Sequence, residues 1–161
     1  MNGPLPEFHL PTEIFIRQDG ISSISEIVAR HGSRIILITT TADIEIFHQV
    51  IDTISSNLRR SGLGCMIYDQ IPPNPNTEDI DQAVSFVKKT NCDLVIGFGG
   101  PESIHSARTI ALLTTNYVFC HDLLKTSGNL PREPLPFITV PAYPVYGFEL
   151  MPMVIIEEIH E

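Results

Sequence analysis

The chain has 161 residues, with 10 Lys+Arg against 19 Asp+Glu and a formal net charge of −9. That length fits one domain with a core of its own, and an apolar fraction of 43% excludes disorder for the bulk of it. The acidic balance argues against nucleic acid or an anionic membrane as partner, and no run reaches the ~20 apolar residues a membrane span needs.

The Pro-rich opening through Pro11 is expected to lie extended over the surface. Glu13 to Arg17 alternates as a strand would, and Asp19-Gly20 would end it. Ser23 and Glu26 have capping-box spacing and would open a helix with Ile24, Ile27 and Val28 on one face, stopping at Gly32. Arg34 to Thr39 is an apolar run of strand length, suited to a strand covered on both faces. Asp43 is expected to cap a long helix carrying Ile44, Phe47, Ile51, Ile54 and Leu58, with Arg59 and Arg60 at its negative end. Cys65 to Asp69 reads as the next strand. Pro72-Pro73-Asn74-Pro75 is a stiff connection to a helix capped by Asn76 or Thr77. Leu94 to Phe98 is a third apolar strand, followed by Gly99-Gly100 and a helix over Ile104, Ala107, Ile110 and Ala111. A Leu-rich turn at Leu123-Leu124, a strand at Phe137 to Val140 and a last strand at Met153 to Glu157 complete the order.

Apolar strands alternating with helices predict an α/β domain of three layers, a mainly parallel sheet with helices on both faces. Ligands on such sheets bind at the carboxyl ends of the strands. The segments after Thr39, Asp69, Phe98 and Val140 are therefore the candidate site.

The turn after Phe98 has the geometry that cradles a phosphate with backbone N–H groups and a helix dipole. Pro101 offers no N–H, and Glu102 places a carboxylate where an anion would sit. A plain Pro-Glu helix start without ligand fits the same residues. His105 and Arg108 stand one helical turn apart and would either hold an acidic molecule or form an exposed polar face beside Glu102, the latter being expected. His9, His31, His48, His105, His121 and His160 show no metal-ligand spacing, and Cys120-His121-Asp122 are neighbours in sequence rather than a triad.

Between Asp69 and Leu113 the chain reads YDQIPPNPNTEDIDQAVSFVKKTNCDLVIGFGGPESIHSARTIALL, and later PAYPVYGFELMPMVIIEE from Pro141. These stretches resemble the N-terminal domain of iron-containing (group III) alcohol dehydrogenases, with their Pro-Asn-Pro turn, D-x-V-I-x-x-G-G-G-S-x-x-D-x-A-K segment and P-T-T-A-G-T-G-S-E-V-T-P segment. The resemblance implies a Rossmann-like nucleotide-binding domain. It also implies a pyrophosphate site at Gly99, Gly100, Pro101 and Glu102, where Pro and Glu replace the third glycine and the serine. Thr40 falls where the family has the acid that selects the cofactor ribose. His105 and Arg108 take the places of an acid and a lysine. Tyr143, Tyr146 and Phe148 replace small residues of the nicotinamide loop.

The family's metal ligands lie in a helical C-terminal domain beyond this match, so residues 1–161 are expected to form one domain without it and without a metal. The combined departures imply a catalytically inactive module for ligand sensing or protein interaction, with no cofactor. The alternative is the cofactor-binding half of an NAD(P)-dependent, metal-dependent alcohol dehydrogenase completed by a missing domain. The Tyr143–Met153 region either fills the cleft or faces another domain, protein or second copy. The charged fraction of 18%, below the ~25% of an average domain, leans toward a covered surface. Three cysteines without C-x-x-C spacing and no visible signal peptide predict a cytoplasmic location.

Overall fold

A computed structural model describes residues 12–123, 130–150 and 154–157. Its elements are α1 (Gly20–Val28), β1 (Arg34–Thr40), α2 (Thr41–Arg60), β2 (Gly64–Ile71), α3 (Thr77–Thr90), β3 (Leu94–Gly99), α4 (Pro101–Thr115), the short α5 (Cys120–Leu123) and β4 (Phe137–Pro141). The four strands form one sheet in the order β2-β1-β3-β4. All three pairings are parallel, with Ile35 opposite both Cys65 and Leu94, and Ile96 opposite Ile138. The α/β layering expected from the apolar strands is present.

β1 shows why those strands carry no alternation. Ile36 and Ile38 pack into one core with Ile80, Val84 and Val87 of α3 and with Ala107 and Ile110 of α4. Ile35 and Leu37 point the other way, into a second core with Ile24 and Val28 of α1 and Ile51, Ile54 and Leu58 of α2. A strand buried on both faces needs apolar side chains in both registers. The side chosen by each helix follows from strand order. α2 leads outward from β1 to β2, whereas α3 and α4 lead back across the sheet, so right-handed crossovers put them on opposite faces.

Several local expectations change. Glu13 to Arg17 forms no strand: residues 12–17 are exposed and outside the sheet. α1 starts at Gly20 rather than at a Ser23 cap, and the Ser23 hydroxyl bonds back to the Asp19 carbonyl from inside the helix. The α2 cap is Thr40, whose hydroxyl accepts the Asp43 N–H at 3.0 Å, so Asp43 sits inside the first turn. Asn76 does cap α3, in a reciprocal box with Asp79. Val154 to Ile156 are not in a strand, and Glu157 makes a single bridge to Asn76. The opening through Pro11, Leu124, Met151 to Met153 and His160 lie outside the described residues. Among the described residues no helix is long and apolar enough to cross a membrane.

Candidate functional site

Strand order reverses between β1 and β3: the chain leaves β1 for β2 and returns past β1 to form β3. Such a reversal opens a crevice beyond the carboxyl ends of the two strands. Here those ends are Thr40 and Gly99, and each is followed at once by a helix, α2 and α4. Two helix N-termini, both positive dipole ends, therefore point into one crevice.

The charge between them belongs to the chain itself. Asp43, only 5% exposed, accepts the Gly100 backbone N–H at 3.1 Å and the Ser103 hydroxyl at 2.6 Å through the same oxygen. The Ser103 hydroxyl in turn accepts the Thr40 N–H at 3.0 Å. With the Thr40 cap bond, this closes a ring linking β1, α2 and α4. Every member is buried, so each bond is made in a setting where an unpaired partner is costly.

Tyr143 covers the turn from above. A Cβ at Gly100 would lie 1.9 Å from the Tyr143 hydroxyl oxygen, and one at Gly99 (φ +132°) would lie 2.1 Å from Asp43 Oδ2. The two glycines thus leave room for Asp43 and Tyr143. The Tyr143 ring stacks on Phe47, with centroids 6.2 Å apart, and Phe47 meets Phe98 edge-on at 5.9 Å. Phe47 occupies a non-helical kink within α2 (φ −114°, ψ 20°), which accompanies this placement of its ring. Burial, then the charges of Asp43 and Glu102 and a hydrogen-bonding interaction with Asp43, push the Tyr143 hydroxyl above its ordinary pKa. A dinucleotide pyrophosphate needs the donors and the open space at such a turn. In this conformation Asp43 uses the Gly100 donor and Tyr143 fills the space, so the turn as it stands does not fit that group.

The other expected residues fall around this centre. Thr40 is buried and its side chain is spent on the α2 cap. Pro101 and Glu102 form the first turn of α4. His105 is not on an exposed polar face: it is 2% exposed, with Nδ1 accepting the Ile155 N–H at 3.0 Å and its ring edge-on to Phe148 at 5.3 Å. That bond puts the proton of the neutral ring on Nε2, which is buried without a partner among the described residues. Arg108 is half-buried. It donates to the Phe148 and Glu149 carbonyls at 3.2 and 3.0 Å and lies over the Phe137 ring. Both residues therefore pin the segment that returns after β4. α4 is buried nearly all round, which is why reading one of its faces as solvated failed.

The Tyr143–Met153 region divides. Tyr143 covers the turn and Val145 is buried, while Tyr146 is 88% exposed. A cleft of about 440 Å³ lies beside the start of α4, between Asn74-Pro75, Glu102 and Ile155 to Glu157. Among the described residues no three His, Cys, Asp or Glu side chains gather as a metal site would require. The Cys120 thiol, buried and near Asp81, is pushed up to about 12, which removes it as a nucleophile at neutral pH.

Asp43 and Ser103 are the site residues missed by sequence reasoning. The available signal was Asp43 three positions after a Thr at a strand end, and a second hydroxyl one place beyond Glu102.

The sequence matches a family model described as iron-containing alcohol dehydrogenase over residues 11–161. The long-chain-alcohol dehydrogenase 1 of Geobacillus thermodenitrificans is 30% identical over 125 residues, covering 76% of this chain and 31% of that protein. A crystal structure of an iron-containing alcohol dehydrogenase superposes with a TM-score of 0.84 at 22% identity, over 96% of this chain and 42% of the other. The sulfoacetaldehyde reductase of Bifidobacterium kashiwanohense, solved in complex with NAD+, gives 0.76 at 20% identity, over 92% and 39% of the two chains. The present chain thus spans well under half the length of these relatives.

Proposed function

The chain belongs to the iron-containing alcohol dehydrogenase family, and from that premise we propose that it is the NAD(P)-binding half of a metal-dependent enzyme that interconverts an alcohol and a carbonyl compound. One observation carries the reading. The N-termini of α2 and α4 converge on the Gly99-Gly100 turn at the switch point between β1 and β3, the place where an α/β sheet binds a dinucleotide. The NAD+ held by the structurally similar sulfoacetaldehyde reductase supports it. The reading assigns the metal and the reacting alcohol to residues outside those described, and it assigns no step of the reaction to Asp43 or Tyr143.

The test is a thermal-shift series with NAD+, NADH, NADP+ and NADPH carried to millimolar concentration. A ligand at 100 times its dissociation constant stabilises a fold by about 2.7 kcal/mol. The reading predicts a saturable shift with one of the four. No shift with any of them, in this chain or in a variant with the turn uncovered, contradicts it.

A second reading is a catalytically silent derivative that senses a ligand or binds another domain, protein or second copy through the Tyr143–Met153 region. What favours it is the turn held by Asp43 and Tyr143, together with the exposed Tyr146. Alcohol-dependent reduction of NAD+ by the full-length protein would exclude it.

A further inference from the structure

We propose that Tyr143 is a latch: its side chain holds the Gly99-Gly100 turn closed, and the turn accepts a diphosphate only after that side chain has swung out. The proposal rests on the dinucleotide reading above and adds a closed state to it.

Three features make this a movable side chain on a fixed strap. The strap is tied down on both sides of Tyr143. The Ala142 N–H bonds to the Gly99 carbonyl at 3.0 Å, and Arg108 holds the Phe148 and Glu149 carbonyls. Val145 between them is buried at 2% exposure and anchors the middle. Tyr143 itself is 42% exposed, so turning it outward strips little apolar area from the core. Opening therefore requires a change of rotamer and the loss of the stack on Phe47 and of the hydrogen-bonding interaction with Asp43, without unfolding of the strap.

What the side chain guards is a site for an anion. Once Tyr143 leaves, the space above Gly100 opens between two helix N-termini, where Asp43 still takes the Gly100 N–H and the Ser103 hydroxyl. The closed state thus has two parts: Tyr143 takes the space and Asp43 takes the charge. A ligand must displace the first and outcompete the second, so part of its binding free energy goes into opening the turn.

The experiment is calorimetric titration of the 161-residue chain with NAD+ and, separately, with inorganic pyrophosphate. The forms compared are the wild type, Tyr143→Ala, and Tyr143→Ala combined with Asp43→Asn; Tyr143→Thr serves as a second uncovering variant. Circular dichroism confirms that each is folded. The latch predicts at least tenfold tighter binding of both probes in either single variant, and a further gain in the double variant. Equal binding of NAD+ by wild type and variants overturns the latch and leaves the dinucleotide reading standing. A gain for pyrophosphate without any NAD+ binding keeps the latch and removes the dinucleotide reading. No binding of either probe by any form overturns both.

Discussion

The Asp43 carboxylate, in the first turn of α2, accepts the backbone N–H of Gly100 at the start of α4 across 3.1 Å, although 57 positions separate them. The bond joins the two helix N-termini of the crevice and supplies the negative charge both dipoles favour. It makes the crevice a self-satisfied structure rather than an open cradle.

If that network stabilises the fold, Ser103→Ala should be costly out of proportion to its size. The change removes a donor from Asp43 and an acceptor from the Thr40 N–H, both buried. Leaving buried groups unpaired costs about 1–3 kcal/mol. Urea titration should show the unfolding free energy falling by that amount, seen as a lower midpoint with the slope unchanged. A wild-type midpoint would mean that water replaces the hydroxyl.

Arg108→Met should loosen the strap while leaving the sheet intact. The guanidinium bonds to the Phe148 and Glu149 carbonyls disappear together with the cation–π contact on Phe137, while methionine keeps much of the apolar stem. Hydrogen exchange should quicken at the Phe148 and Leu150 amides, whose bonds close the local turns, and stay slow at Ile36 and Ile96. Uniform acceleration would place Arg108 in the global fold instead.

His105 sets a pH dependence whose sign follows from its burial. Burial first, and then the charge of Arg108, push its pKa below the ordinary 6.5. A group with a lowered cationic pKa contributes full stability above the unfolded value, and that stability is lost as pH falls below it, where the unfolded chain takes the proton first. Stability should therefore drop from pH 7 to pH 5, and His105→Leu should flatten that drop relative to wild type. Parallel curves for the two proteins would show that the ring does not resist protonation.

The thiols should be silent in the native state. Cys65, Cys92 and Cys120 are buried, and burial is the largest cause raising each pKa. A disulfide-exchange reagent at pH 8 should label none of them until denaturant unfolds the chain. Rapid native labelling of Cys120 would reopen a reactive role for it.

The sheet was legible because each inner strand carries its own signal. The runs from Arg34 and from Leu94 are apolar in both registers, and Asn76 with Asp79 has the spacing of a real cap. Alternation alone misled at Glu13 to Arg17, since a pattern of two needs a partner strand and none of the described strands pairs there. The site was legible only in outline. Gly99, Gly100 and Tyr143 stood out, but their meeting depends on a strap that returns over the turn. Asp43 looked like a cap because its partners, Gly100 and Ser103, are 57 and 60 residues away. His105 looked solvated because the burial of α4 comes from β1, β3 and β4, from α3 and from the returning segment, which no helical periodicity encodes.

The most direct test of the account follows the Gly100 amide by ¹H–¹⁵N correlation while NAD+ is added to the Tyr143→Ala chain. The account predicts saturable shifts at Gly100, Ser103 and Thr40, as the diphosphate takes the place of the Asp43 carboxylate. Saturable binding that leaves those three amides unmoved would put the ligand elsewhere and contradict the assignment of the crevice between β1 and β3.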